Sequence, residues 1–167
     1  MTVYLKSSHE FSSWLATAIK ILCLKKTFSC FETDVKVVAY IRKFQREGGG
    51  YGIKPNLEDT WLALSLLDKI KAAIEHVEET VRFIEDMQIS SLGFRNTSDS
   101  RYTDIYILHA GVFSCLLLGI PIRYPAAIMD MVVSCQCSNP QEATSENYLS
   151  HVSKERILEV MGKAVSP

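Results

Sequence analysis

The sequence has little net charge and no apolar run long enough to span a bilayer. Its 18 lysine and arginine residues are balanced by 19 aspartate and glutamate residues, which leaves a formal net charge of −1. Domains that bind nucleic acid usually carry clustered basic charge, so we expect no nucleic-acid partner. The longest apolar run, 105–122, contains a histidine and is shorter than the ~20 residues that a membrane-spanning helix needs. We therefore expect no membrane span.

Features of a secreted protein are also scarce. The first residues do not combine a basic segment, an uninterrupted apolar run and a small-residue cleavage site, as a signal peptide would. The five cysteines are an odd number and stand mostly among apolar residues. Such cysteines are typical of reduced thiols in the cytosol. The sequence thus predicts a cytoplasmic protein.

Strand signals are nearly absent, and helical spacing replaces them. No convincing run of alternating polar and apolar residues occurs, whereas apolar residues recur every three to four positions from end to end. We therefore predict an all-α fold. Seven helices are expected, near 9–25, 33–46, 57–71, 74–89, 103–120, 123–136 and 144–163. Asn56 and Asp59 are placed to cap the third of them, and Pro125 lies near the start of the sixth.

An internal repeat is centred on Gln45, Gln88 and Gln136. The positions one, four, five and seven residues before each glutamine are apolar in all three copies. The spacing between the glutamines suits a unit of two helices. We predict a single domain over 1–167, built from two clear units and a degenerate third. The units cover about 34–71, 77–120 and 124–163.

The stretch FQREGGGYGIKP, 44–55, belongs to this repeat. A phosphate-binding loop is not favoured, because the stretch lacks the Lys-Ser/Thr pair of a P-loop and follows no predicted strand. Its glutamine, glycine and aromatic residue recur 43 residues later, which instead favours a joint between two helices. The structural residues of the two joints are Gln45, Gly49, Gly50 and Tyr51 in the first, and Gln88, Gly93 and Phe94 in the second. We expect Gln45 to hydrogen-bond helix ends across its joint and Tyr51 to fill the gap between units.

The stretch VAYIRKFQREGGGYGIKPNLEDTWLALSLL, 38–67, resembles the repeat of the prenyltransferase and squalene-cyclase superfamily. In that family, helical hairpins with a glutamine and a Gly-Gly-aromatic turn stack into an α/α toroid. The resemblance covers most of the chain. A closed toroid of about six hairpins needs on the order of 270 residues, so the resemblance implies an arc or partial toroid here. The apolar edges of an arc imply self-association or a partner chain that completes the toroid.

The resemblance implies an apolar cavity that holds an isoprenoid or a prenyl diphosphate, but the catalytic motifs of the family are missing. The Asp-x-Cys of the zinc-dependent prenyltransferases is absent, because Tyr106 follows Asp104 at the cysteine position. The Asp-x-Asp-Asp of the cyclases and the Gly-Cys-Gly-Glu-Gln of thioester domains are absent too. We therefore assign no catalytic residue and predict no metal or cofactor. A non-catalytic interaction or structural domain on the same scaffold is the alternative.

Five residues are candidates for ligand binding: Trp61, Arg101, Asp104, Tyr106 and His109. Trp61 and Tyr106 hold matching positions near the start of two helices predicted to form an inner layer. In the family, aromatic residues there face the central cavity or the neighbouring helix. His109 is the most suggestive polar group on its helix, and Arg101 in the preceding loop could meet a diphosphate. Core packing of the aromatic residues, a buried structural histidine and a solvated arginine remain the alternatives.

Overall fold

The computed structural model describes residues 31–134 and 154–162. These ranges contain α1 (Phe31–Arg42), α2 (Leu57–Lys69), α3 (Val77–Asp86), β1 (Gln88–Ile89), β2 (Gly93–Phe94), α4 (Ile105–Leu118), α5 (Pro125–Ser134) and α6 (154–162). The prediction of a mostly helical chain is confirmed. The predicted helix 9–25 and Gln136, which marks the third unit, lie outside the described residues.

Two helices end earlier than the periodicity predicts, because the glutamines belong to turns. Gln45 forms an isolated antiparallel bridge with Tyr51, and Gln88 pairs with Phe94 in the two-stranded sheet of β1 and β2. The backbone is extended at these pairs, so α1 ends at Arg42 rather than near 46, and α3 ends at Asp86 rather than near 89. We call 45–52 the first glutamine turn and 88–94 the second.

Side-chain capping sets the N-termini of α2 and α4. Asn56 caps α2, since its side chain accepts a hydrogen bond from the backbone N–H of Asp59 at 2.8 Å. Asp59 was expected as a second capping residue, but it is the third residue of α2 and instead accepts from the Asn56 side chain at 3.0 Å. Asp104 caps α4 by accepting from two backbone N–H groups of its first turn. Pro125 begins α5, as predicted.

The core is built around α2 and α4, which pack against each other. Both helices bury most of their length: α2 buries Leu57, Ala63, Leu64, Leu66 and Leu67, and α4 buries eight residues of its fourteen. By contrast, α3 buries only Thr80 and Ile84, and α5 only Ile128 and Val132. Burying a large aliphatic side chain contributes about 1.5–3 kcal/mol, so the buried faces of α2 and α4 make a large contribution to stability.

Each glutamine turn binds a loop further along the chain: the first turn binds the loop before α3, and the second binds the loop before α5. Gln45 Nε2 donates to Glu75 O at 2.7 Å and to Thr80 Oγ1 at 3.1 Å, which holds the start of α3. Gln88 Nε2 donates to Pro121 O at 3.0 Å, and Gln88 Oε1 accepts from the backbone N–H of Arg123 at 2.7 Å. Pro121 and Arg123 precede α5.

Glycine and an aromatic residue complete each turn. Gly49 and Gly93 have positive φ angles of 85° and 76°, a conformation that disfavours side chains. A Cβ atom on Gly49 would meet the backbone of Glu79 and Thr80, and one on Gly93 would meet the Ile128 side chain. Tyr51 and Phe94 are both fully buried in the core.

Candidate functional site

Three rings meet on the side of α2 and α4 that is only partly buried. The ring centroids of Trp61 and His109 lie 5.7 Å apart, those of Trp61 and Phe113 also 5.7 Å, and those of His109 and Phe113 4.4 Å. His109 and Phe113 are one helical turn apart on α4, so they share one face of that helix. Trp61 reaches them from α2 because the two helices pack side by side. We call Trp61, His109 and Phe113 the ring cluster.

A cation from α6 lies on the ring cluster. The guanidinium carbon of Arg156 is 5.0 Å from the Phe113 ring centroid, within the range of a cation–π contact. Residues Ile157 and Met161 of the same helix are buried. A positive charge is thereby held at the edge of an otherwise aromatic surface.

His109 behaves as a neutral ring in this setting. Burial, together with a smaller effect of the positive charge of Arg156, lowers the pKa of its imidazole to about 4. An imidazole with this pKa carries no charge at neutral pH. The ring cluster is therefore a surface of three uncharged rings, with Arg156 as its cation.

A carboxyl cluster lies at the N-terminal ends of α2 and α4, and Glu58 is its central member. Burial, with smaller contributions from the carboxylates of Asp104 and Asp59, raises the pKa of the Glu58 carboxyl to about 7. A hydrogen bond from Asn96 Nδ2 to Glu58 Oε2, at 2.8 Å, acts in the opposite direction. Glu58 precedes Trp61 by three positions on α2, so the carboxyl cluster adjoins the ring cluster.

The structure brings together some of the residues that the sequence suggested and separates others. Trp61 and His109 meet in the ring cluster. Asp104 lies in the carboxyl cluster, where it also caps α4. Tyr106 packs partly buried against the core, and Arg101 is exposed in the loop before α4.

Sequence reasoning missed three members of the site: Glu58, Phe113 and Arg156. Two of them carried a usable signal, because Glu58 lies one turn before Trp61 and Phe113 one turn after His109 on the same predicted helices. Arg156 carried none, since its place over Phe113 depends on how α6 packs.

Within 31–134 and 154–162, no three histidine, cysteine, aspartate or glutamate side chains are grouped so that they could hold a metal ion. Asp104 and His109, the residues nearest to a zinc set in the sequence, are engaged in the helix cap and in the ring cluster. Cys115 is buried, and burial raises the pKa of its thiol to about 12. Its thiol is therefore protonated and a poor metal ligand.

An open groove of about 890 Å³ lies elsewhere on the surface. It is lined by residues 47 and 48 of the first glutamine turn, by Lys54 and Pro55, by α3 with Met87, and by residues of the loop 95–99. The groove shares no residue with the ring cluster. Its lining carries charges of both signs, among them Glu47, Lys54, Arg95 and Asp99.

None of the helices in the described ranges has the length and apolar character needed to cross a bilayer. No family model, no curated protein and no solved structure matches the chain. The geometry of the site is therefore the basis on which a function is proposed below.

Proposed function

We propose that this chain is a prenyltransferase-like α/α domain that binds an isoprenoid against the ring cluster. The observation that carries the proposal is the meeting of Trp61, His109 and Phe113 beside the Arg156 guanidinium. Three uncharged rings offer dispersion contacts to a branched hydrocarbon chain, and the cation is suited to a diphosphate head group. The proposed location is cytoplasmic.

The two glutamine turns support the proposed repeat architecture. Gln45 and Gln88 each pair with the aromatic residue six positions later. Gln45 also binds the loop before α3, and Gln88 binds the loop before α5, so each reaches the first helix of the next proposed unit. This shared arrangement is what stacked hairpins require if each unit is to hold the next. In the proposed arc, the inner faces of α2 and α4 form the ligand surface.

The proposal is one of binding, and it includes no reaction. His109 is neutral and packed between two rings, so it is poorly placed to hold a metal or to transfer a proton. Glu58 is the acid with the strongly raised pKa beside the ring cluster. A carboxyl group with a pKa of about 7 is suited to donating a hydrogen bond at neutral pH, and it is far too weak an acid to protonate an alkene.

The direct test uses ligand-induced stabilisation. We expect farnesyl or geranylgeranyl diphosphate to raise the melting temperature, because a ligand at one hundred times its Kd stabilises a protein by about 2.7 kcal/mol. In a Trp14→Phe variant, Trp61 is the remaining tryptophan, and its fluorescence should change on binding. The proposal would be ruled out if saturating ligand caused no stabilisation and no change in fluorescence.

Two variants locate the ligand. Arg156→Gln should weaken binding of farnesyl diphosphate and leave binding of uncharged farnesol unchanged, since only the diphosphate needs the guanidinium. Tyr102→Ala removes an aromatic ring that is 63% exposed and outside the ring cluster, so it serves as the control. If Arg156→Gln and Tyr102→Ala weakened the binding of farnesyl diphosphate equally, the ligand would not bind beside Arg156.

A second candidate function is association with another chain, as the incomplete toroid implies. Leu116 near the end of α4 and Val133 near the end of α5 are 50% and 53% exposed, and both are large apolar side chains. Exposed apolar residues of this kind favour an interface. A strictly monomeric state in light scattering at high protein concentration would contradict self-association and leave ligand binding unaffected.

A further inference from the structure

The loop after the second glutamine turn carries four side-chain hydroxyl groups, and three of them are engaged or buried. Thr97 Oγ1 donates to Asp99 Oδ1 at 2.7 Å and lies 2.9 Å from Ser100 Oγ, within hydrogen-bond distance. Thr103 Oγ1 is buried. Ser98 is exposed, and its hydroxyl has no hydrogen-bond partner among residues 31–134 and 154–162. Ser98 is therefore the hydroxyl of this loop that another molecule can reach.

Ser98 lies at the corner of a β-turn. The backbone N–H of Ser100 donates to Thr97 O at 3.1 Å, so residues 97–100 form the turn and Ser98 takes its second position. Asn96 holds the base of the turn through hydrogen bonds to the first residues of α2. The turn thus presents Ser98 on an anchored surface loop, where modifying enzymes have access to side chains.

Two cations adjoin this turn. Arg95 Nη1 donates to Ser98 O at 2.7 Å, and its Nη2 donates to the last carbonyl of α3 at 3.0 Å. Lys54 lines the same open groove as Arg95 and Ser98. A hydrogen bond from Thr97 lowers the pKa of Asp99, and Lys54 and Arg95 add smaller effects in the same direction, so both cations act on the turn. Within the described part of the chain, no carboxylate forms an ion pair with either cation.

We propose that Ser98 is a phosphorylation site for a serine/threonine kinase that selects basic residues, and that Arg95 and Lys54 bind its phosphate across the groove. Arg95 stands three residues before Ser98, and kinases discriminate among substrates by charge patterns of this kind. The hydrogen bonds of Arg95 are exposed to water, so they can open for a kinase at little cost. The proposal does not depend on the isoprenoid ligand.

The transfer is an ordinary phosphoryl transfer from ATP. Ser98 Oγ attacks the γ-phosphorus and forms a new P–O bond, while the bond from this phosphorus to the β,γ-bridging oxygen breaks and ADP leaves. The hydroxyl proton passes to the catalytic aspartate of the kinase. The product carries a charge of about −1.5 to −2 at neutral pH and three strong acceptor oxygens.

The carboxylates of the groove compete less well for the two cations. Glu79 already pairs with Arg82 at 2.9 Å. The other carboxylates that line the groove are Glu47, Asp86 and Asp99. Each of them has a single charge, whereas the phosphate has nearly two and matches the N–H donors of a guanidinium. We therefore expect the phosphate to bind both cations and to link the two sides of the groove.

The site is tested with ATP and the catalytic subunit of cyclic-AMP-dependent protein kinase. Tandem mass spectrometry of the tryptic fragment 96–101 should find a phosphate on Ser98, and Ser98→Ala should remove it. Ser100→Ala is the matched control, because it removes a hydroxyl of the same loop that lies against Thr97, and it should leave the phosphate on Ser98. A fragment without phosphate on Ser98, or with equal phosphate on Ser100, would overturn the site.

Phosphorus-31 NMR of the phosphorylated chain tests the binding of the phosphate. Nearby cations favour the dianion, so the titration midpoint should lie roughly 0.5 pH units or more below the value of about 6 of a free phosphoserine. Lys54→Gln should move the midpoint back towards this value. Lys71→Gln, which removes a lysine paired with Asp68 outside the groove, should not. A native midpoint equal to that of the urea-unfolded chain would overturn the binding of the phosphate by the two cations.

Discussion

The two glutamine turns perform the same task with different side chains. The first has three consecutive glycines, and Gly49 lies directly against the backbone of α3. The second has one glycine, Gly93, which lies against the side chain of Ile128. Within the described part of the chain, the side chain of Gln45 donates hydrogen bonds and accepts none, whereas that of Gln88 both donates and accepts and is 6% exposed. The comparison indicates that the first turn depends more on backbone shape and the second more on its buried amide.

The largest expected effect is that of an alanine at Gly49. The new Cβ atom would meet the backbone of Glu79 and Thr80, which cannot move without displacing α3, and the residue would keep its positive φ. We expect a loss of about 3–5 kcal/mol in the free energy of unfolding. Gly93→Ala should cost less, about 1–3 kcal/mol, because the side chain of Ile128 can adjust.

Urea unfolding of the two alanine variants measures this difference. Gly48→Ala is the matched control, since a Cβ atom there meets nothing within 4 Å. If both alanine variants lost the same free energy of unfolding, the first turn would depend on backbone shape no more than the second.

Replacing the glutamines should reverse the order. Gln88→Ala leaves Pro121 O and the N–H of Arg123 without their partner in a buried place, and we expect a loss of about 2–3 kcal/mol. Gln45→Ala removes bonds that are more exposed to water, so its loss should be nearer about 1 kcal/mol. Thermal unfolding of both variants distinguishes the cases. A larger loss of stability in Gln45→Ala than in Gln88→Ala would contradict the conclusion that the second turn depends more on its buried amide.

The pH dependence of stability tests the contact that links the two turns, between Glu58 after the first and Asn96 after the second. The native pKa of Glu58, about 7, exceeds its ordinary value of 4.5, so the native state binds more protons and stability falls as the pH rises from about 4.5 to 7. The native pKa of His109, about 4, is below its ordinary 6.5, so its contribution rises with pH from about 4 to 6.5.

These two slopes oppose each other, and single variants should reveal each one. In Glu58→Gln, only the contribution of His109 to the pH dependence remains of the two. The free energy of unfolding should therefore increase between pH 4.5 and 6.5, by no more than roughly 2 kcal/mol once solvent screening is included. In His109→Phe, the contribution of Glu58 remains, and the free energy of unfolding should decrease over the same interval. Urea unfolding at several pH values measures both. Slopes of the same sign in the two variants would contradict the pKa directions.

The smallest expected effect concerns the aromatic residues of the turns. Tyr51 and Phe94 hold matching positions, but the buried hydroxyl of Tyr51 has no hydrogen-bond partner among residues 31–134 and 154–162. Burial also raises the pKa of this phenol to about 12, so it stays protonated. Tyr51→Phe should therefore change the free energy of unfolding by less than about 1 kcal/mol, in either direction. A loss above that, by calorimetry, would mean that the hydroxyl has a partner such as a bound water.

Local signals in the sequence were reliable where a feature involves residues close together in the chain. Helical spacing predicted α2 and α4 to within about two residues, as is usual for periodic segments, and Asn56 and Asp104 begin these helices as caps. The predicted C-terminal ends of α1 and α3 were wrong, because Gln45 and Gln88 pair with residues across a turn, and this pairing outweighs their helix propensity. The repeat itself stays a prediction, since Gln136 lies outside the described residues.

Spacing along the chain predicts the helical class, the Asn56 cap and the recurrence of glutamine, glycine and aromatic residue, so the sequence alone is sufficient for these features. Tertiary packing is what brings Trp61 to His109 and Phe113, places Arg156 over Phe113, and brings Asp104 near Glu58. These pairs are tens of residues apart, and their contacts depend on how whole helices pack. The burial that shifts the pKa values of Glu58 and His109 arises from the same packing.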